Sequence, residues 1–198
     1  NRVLLMVDGV RMNNAIYRSG HLQNSITIDP SNIERAEVIF GSSSVGYGSD
    51  AMGGVIHYYT KNPILKNSKK ISSSFTSNFN SANNSVTNNF NTNYSSGNWG
   101  SITSISISKY GDIKMGKKRN HGYSYWGLTP IFSQNSRYKF YSEPSINLDE
   151  NIQKNTGYSQ IDLFQKFFFR IGDDNLLNLN IQFSESSDID RYDQLSIP

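Results

Sequence analysis

Leu177-Asn178-Leu179-Asn180-Ile181-Gln182-Phe183-Ser184 is the stretch whose reading decides the fold. Apolar and polar residues alternate in it without a break. Successive side chains of a strand point to opposite faces, so this segment has one greasy and one wet face. A helix would instead repeat its apolar residues at intervals of three and four. The preceding segment follows the same rule. Ile161, Leu163, Phe167, Phe169 and Ile171 share one face, and Gln160, Asp162 and Lys166 the other, with one apolar intruder at Phe164. Ile71, Phe75 and Phe79 repeat more sparsely, as do Val86, Phe90 and Tyr94. Ile105 and Ile107 belong to a weaker strand between Trp99 and Tyr110, where Ile102 is out of phase.

Strands of about ten residues with this alternation are the signature of a transmembrane β-barrel. A soluble β-sandwich gives the same pattern, and connection lengths separate the two. The links are a short Asn-Ser turn near 80–85, a tight turn at 95–98, a long stretch over 111–157 and a tight turn at 172–175. A polar tail follows from Ser186. If the first strand leaves the periplasmic side, the tight turns fall on that side and the long stretch falls outside the cell. Outer-membrane barrels have that asymmetry. Five strands cannot close a barrel, and an open edge in a bilayer leaves backbone groups unsatisfied. More chain is therefore expected.

Composition agrees with a β-protein. The chain has 12 Tyr and 11 Phe, with Asn and Ser common and the helix formers Ala and Leu scarce. The net charge of +3 and scattered basic residues are not the footprint of a nucleic-acid binder. Lys69-Lys70 and Lys117-Lys118-Arg119 read as solvated turns. The chain has no cysteine, which excludes disulfides, zinc-thiolate sites and a Cys nucleophile. It also lacks an apolar run long enough for a transmembrane helix. Neither end reads as a natural terminus, so a fragment is expected.

Before Lys61-Asn62-Pro63 the grammar differs. Short apolar runs at Val3 to Val7, Ile33 to Phe40 and Val55 to Thr60 are separated by Gly, Asn and Asp. They predict the strands of a small mixed domain, with a helical turn over 31–35 started by Asp29-Pro30-Ser31. Three enzyme readings of the glycine-rich stretch fail. Gly41 to Gly46 has phosphate-loop spacing but Tyr47 where the Lys is needed. Gly46-Tyr47-Gly48-Ser49-Asp50-Ala51 matches a dinucleotide fingerprint, but turn and strand follow it rather than a helix. Ser43 lacks the second Gly of a nucleophile elbow, since position 45 is Val. Asp188, Asp190 and Asp193 lack calcium-loop spacing and read as solvated carboxylates. No catalytic constellation survives, so the chain is not expected to be an enzyme. The glycines permit positive φ and close backbone approach in a packed turn.

Three motifs in order carry a resemblance: Val7-Asp8-Gly9-Val10-Arg11; Ile33-Glu34-Arg35-Ala36-Glu37-Val38; and Gly41-Ser42-Ser43-Ser44-Val45-Gly46-Tyr47-Gly48-Ser49-Asp50-Ala51-Met52-Gly53-Gly54-Val55-Ile56. Together they resemble the plug domain of TonB-dependent outer-membrane receptors over about residues 3 to 63. One departure is Phe40-Gly41-Ser42, where the family usually has Arg-Gly-Pro. The resemblance implies a partial mixed α/β plug over 1–63, then about five antiparallel barrel strands and outer loops over 64–198. On it, Asp8, Gly9, Glu34, Arg35, Glu37, Gly41, Tyr47, Gly48, Gly53 and Gly54 are structural and lock the plug to the barrel wall.

It also implies a function. Such receptors sit in the bacterial outer membrane and import a scarce nutrient when the TonB complex pulls on the plug. The TonB box would lie upstream of Asn1. Gly20-His21-Leu22-Gln23-Asn24 resembles the Gly-His-Leu-Asn stretch of haem receptors, where a plug histidine binds the haem iron. His21 is therefore the candidate axial ligand, and haem or another iron complex the transported ligand rather than a prosthetic group. A second ligand would come from beyond residue 198, and haemoglobin or another haem carrier would be the outer partner. His57, inside a strand, reads as structural, and His121 in the long loop is a further candidate. Tyr123, Tyr125 and Trp126 in that loop, with Tyr138, Phe140 and Tyr141, read as ligand contacts or loop packing. The alternatives are a siderophore, cobalamin or glycan on the same fold, or a secreted β-rich adhesin or glycan-binding module.

Overall fold

The computed structural model describes residues 3–12, 28–41, 44–48, 51–66, 68–120, 122–134, 143–172 and 174–189. The N-terminal strand β1 (Val3–Val7) turns at Asp8-Gly9 into the short β2 (Val10–Arg11), which pairs back on it. Asp8 has φ 47° and Gly9 φ 84°. Positive φ at both central residues gives the two-residue hairpin turn whose twist matches its strands, and Asp-Gly suits it. A 3₁₀ turn, Pro30–Asn32, is capped by the Asp29 carboxylate, which accepts from the Ser31 N–H at 2.9 Å. The helical turn expected over 31–35 stops there. Ile33 is already extended, because β3 (Ile33–Phe40) gains a ladder with β4 (Gly54–Thr60) that a single helical turn cannot match. Between β3 and β4, α1 (Ser44–Tyr47) forms one helical turn inside the glycine-rich stretch.

The strand order is β2-β1-β4-β3, with β1 parallel to β4 and β3 antiparallel to it. A central parallel strand is covered on both faces, which explains why Val3 to Val7 is a continuous apolar run rather than an alternating one. Leu4, Met6, Ala51 and Val55 form the buried cluster, with Ile39 and Tyr47 packed against it.

The second sheet has five long strands: β5 (Lys70–Asn80), β6 (Ser85–Ser96), β7 (Trp99–Tyr110), β12 (Tyr158–Ile171) and β13 (Asn175–Ser186). Their order is β13-β12-β7-β6-β5. The stretch after β7 is not a bare loop. It holds β8 (Ile113–Lys114), β9 (Ile131–Phe132), β10 (Ser145–Ile146) and β11 (Ile152–Gln153), in the pairs β8–β11 and β9–β10.

The chain divides into two compact units. The first is Asn1–Phe75, Asn89–Ser106 and Asp162–Ser184, and the second Thr76–Asn88, Ile107–Ile161 and Glu185–Pro198. In the first unit buried residues of β6, β7 and β12 lie on their wet faces: Asn89, Ser104, Ser106, Asp162 and Lys166 are covered, while Leu163 and Phe169 of β12 and Leu177, Leu179, Ile181 and Phe183 of β13 are exposed. The two apolar residues that break the alternation, Ile102 and Phe164, are buried on that same inner face. Gly100 permits a close approach: a Cβ there would lie 3.1 Å from Pro63 Cβ and 3.2 Å from Leu65 Cδ2.

Candidate functional site

Two polar clusters join the N-terminal sheet to the long strands inside the first unit. The first is centred on Asp8, at the hairpin turn. Its Oδ1 accepts from the Thr60 N–H at 2.9 Å. Its Oδ2 accepts from Thr60 Oγ1 at 2.5 Å, Lys166 Nζ at 3.1 Å and Asn180 Nδ2 at 2.8 Å. Lys166 Nζ also donates to Thr60 Oγ1 at 2.9 Å. The Lys166 side chain is only 2% exposed, so its charge is compensated inside the protein. Burial pushes the Asp8 carboxyl upward, but hydrogen bonds from Thr60 and the Lys166 charge outweigh it, and the net shift is downward.

The second cluster surrounds the 3₁₀ turn. Asp29 Oδ2 accepts from Asn32 Nδ2 at 3.0 Å and from Ser106 Oγ of β7 at 2.5 Å. Asn89 Nδ2 of β6 reaches Ser104 Oγ at 2.8 Å and Ser106 Oγ at 2.7 Å. Nearby, Ser184 Oγ donates to Asp162 at 2.6 Å. From the sequence, Asp29 reads only as the start of a turn, Lys166 and Asn180 read only as wet-face residues, and Asn89 is not singled out. The usable signal is a charged residue, Lys166, in the wet phase of an otherwise alternating strand.

The expected motif residues fall in different settings. Gly9 donates its N–H to His57 Nε2 at 2.8 Å, and His57 is buried and stacks on Tyr59 at 4.0 Å. Arg35, Glu37 and Tyr59 form an exposed group: Arg35 Nε lies 3.0 Å from Glu37, Tyr59 Oη donates to Glu37 at 3.0 Å, and the guanidinium sits 3.8 Å over the Tyr59 ring. Hydrogen bonds from Arg35 and Tyr59 lower the Glu37 carboxyl, whereas desolvation and the Glu37 bond raise the Tyr59 phenol. Glu34 is exposed on the same strand. Arg11 donates to the Tyr47 carbonyl. Gly41, Gly48 and Gly54 have φ of 83°, 89° and 135°. Gly53 is exposed beside Gly54.

His21, His121, Tyr138, Phe140 and Tyr141 lie outside the described residues. Tyr123, Tyr125 and Trp126 belong to the second unit and are exposed at 72%, 86% and 63%. Their turn is held from beneath. Arg119 donates from Nε to the Trp126 carbonyl at 3.1 Å and from a terminal nitrogen to Asn151 at 2.8 Å. The buried Asn147 ties Thr129 to Ile152 through its Nδ2. Asp149, hydrogen-bonded by the Asn151 side chain and backbone N–H, is held below its ordinary value. Aromatic side chains on an ordered turn suit contact with a flat or apolar ligand. Among the described residues no three His, Cys, Asp or Glu converge to hold a metal ion.

Residues 1–55 match the model of the TonB-dependent receptor plug domain. Over 58 residues, 29% of the chain, it is 47% identical to the hemin receptor of Yersinia enterocolitica, spanning 8% of that protein. Over 170 residues, 81% of the chain, it is 32% identical to the vitamin B12 transporter BtuB of Vibrio vulnificus (strain CMCP6), spanning 27% of it. The ferric enterobactin receptor of Pseudomonas aeruginosa shares the fold at TM-score 0.57 and 18% identity, over 93% of this chain and 25% of that one. The chain thus spans about a quarter or less of the proteins it resembles.

Proposed function

We infer, for a chain that belongs to the TonB-dependent receptors, that its parent imports haem, or iron taken from a host protein, across the bacterial outer membrane. Residues 1–63 then supply the back of the plug, and 64–198 the first wall strands with their outer loops. The polar clusters around Asp8 and Asp29 hold plug to wall, and the TonB complex supplies the pull that releases them. The chain contributes no catalytic group on this reading. A secreted adhesin or glycan-binding module is not favoured, because the fold likeness runs through both plug and wall strands.

The observation that carries the haem reading is Gly20-His21-Leu22 inside the plug-matched segment of a chain similar to a hemin receptor. His21 supplies the axial nitrogen, and a neutral imidazole is a good iron ligand. Tyr123, Tyr125 and Trp126 offer ring faces for the ligand or for a haem carrier such as haemoglobin. A second reading, uptake of a cobalamin, draws on the longer similarity to a vitamin B12 transporter.

The test is a haem titration followed at the Soret band on the full-length receptor refolded in detergent, with His21→Ala beside it. Saturable binding weakened at least tenfold by the substitution supports His21 as ligand. No binding in the wild type removes haem and leaves another nutrient. Unchanged binding in the variant moves the iron ligand elsewhere.

A further inference from the structure

Among the described residues, a buried side-chain oxygen at the seam between plug and wall has no hydrogen-bond donor. Asn32, in the 3₁₀ turn, is 4% exposed. Its Nδ2 donates to Asp29 Oδ2 at 3.0 Å, which fixes the orientation of the amide. That orientation leaves Oδ1 buried with no donor among the described residues. Buried side-chain oxygens in native proteins nearly always accept a hydrogen bond from protein or from ordered water. A cavity lies against the same residue. It is lined by the polar residues Asp29, Asn32, Thr60, Asp162 and Gln182 and by the apolar residues Ile28, Leu163, Phe164 and Phe183. It leaves about 10 Å³ for the centre of a water-sized sphere, which is room for one molecule.

We propose that this cavity is a binding site for one internal water that bridges Asn32 of the plug to Asp162 of the wall. The molecule donates one O–H to Asn32 Oδ1 and the other to the Asp162 carboxylate. Its lone pairs accept from Gln182 Nε2, whose bond to Asn180 is a long 3.4 Å and uses one of two N–H groups. Three partners are the usual number for a buried water. The lining fits water better than a cation. Both Asp29 oxygens are already taken, Oδ1 by the Ser31 N–H and Oδ2 by Asn32 and Ser106. The seam then has two kinds of contact side by side, with Thr60 touching both: an ion-paired latch at Asp8 and a wet bridge at Asn32. A bridging water lets the bonds beneath it exchange partners as plug and wall separate.

The experiment is a crystal structure of the full-length receptor at a resolution that shows ordered water in the lumen. A solvent peak within hydrogen-bond distance of both Asn32 Oδ1 and Asp162, about 3 Å, is the expected result. Asn32→Leu in the same crystals should lose that peak while neighbouring lumen waters remain. Three results overturn the proposal. Another side chain of the full receptor supplies the donor to Asn32, the cavity carries no density, or the peak is replaced by rubidium on soaking and so is a cation. The wild-type map decides among these even if the variant fails to fold.

Discussion

Asp8 gathers four donated hydrogen bonds on one carboxylate, from Thr60 twice, Lys166 and Asn180. Removing one member of such a pair leaves the other buried and uncompensated, which costs about 3 kcal/mol. Asp8→Asn and Lys166→Met should therefore each lower the stability of the full-length receptor in detergent by that order. Asp8→Asn should be the worse, because Lys166 is the more deeply buried. The double variant should lie closer to wild type than their sum, with a coupling of about 1 kcal/mol or more. Additivity in urea-unfolding midpoints would show that the latch does not act as a unit. The carboxyl also sets a pH dependence. Its folded value lies below the ordinary 3.8, so its contribution is complete above 3.8 and is lost as pH falls through the lower folded value. Lys166→Met should shrink that acid-side loss. Glycine geometry gives a second residue-scale contrast. A Cβ on Gly54 would lie 2.7 Å from the backbone oxygen of Ile39, with φ at 135°. A Cβ on Gly48 would meet the end of the Arg11 side chain at the same 2.7 Å, and that side chain can swing aside. Gly54→Ala should destabilise by about 2–3 kcal/mol and by more than Gly48→Ala, read from the same unfolding curves.

Among the elements, β12 shows what the alternation meant. Its outward residues, Ile161, Leu163 and Phe169, are exposed, and its inward ones, Gln160, Asp162, Lys166 and also Phe164, are covered. Leu163→Lys should cost about 2–4 kcal/mol of folding stability in vesicles if the residue lies near the bilayer midplane. Folding titrations into lipid vesicles would measure it, and a change near zero would place Leu163 away from the hydrocarbon. Alternation told which side chains share a face. It did not tell that the wet face would be the buried one, because burial there comes from another part of the chain. Ile102 and Phe164 looked like errors of phase, yet both are buried on the inner face, and Phe164 lines a cavity together with Ile28. The latch was half legible: Asp8 was marked by its turn, while Lys166 was one wet-face residue among several until its partner came within 3.1 Å. The pairs β8–β11 and β9–β10 were not legible at all, since two-residue strands have no period. Their order comes from side-chain ties such as Asn147 to Thr129 and Asp112 to the Thr156 and Gly157 N–H groups.

At the scale of the whole molecule, the five-stranded sheet ends on β5 and β13, and every described side chain of β5 is exposed. In a bilayer such edges leave N–H and C=O groups without partners, at a cost of roughly several kcal/mol each. In water they expose Ile71, Phe75 and Phe79 on one strand and Leu177, Leu179, Ile181 and Phe183 on the other, which invites edge-to-edge pairing between chains. Neither solvent suits the sheet as an independent body, and only closure by further strands removes both penalties. The 198-residue chain expressed alone should therefore fail to insert as a monomer. Electrophoresis of vesicle-refolded samples with and without boiling would test it. The full-length receptor should run at two mobilities, folded and unfolded, whereas the isolated chain should run only as unfolded protein or aggregate. A heat-modifiable monomer from the isolated chain would mean that its plug residues, through Asp8 and Asp29, stabilise the wall enough to offset the open edges. That result would also shift the latch from holding the plug in place to building the barrel around it.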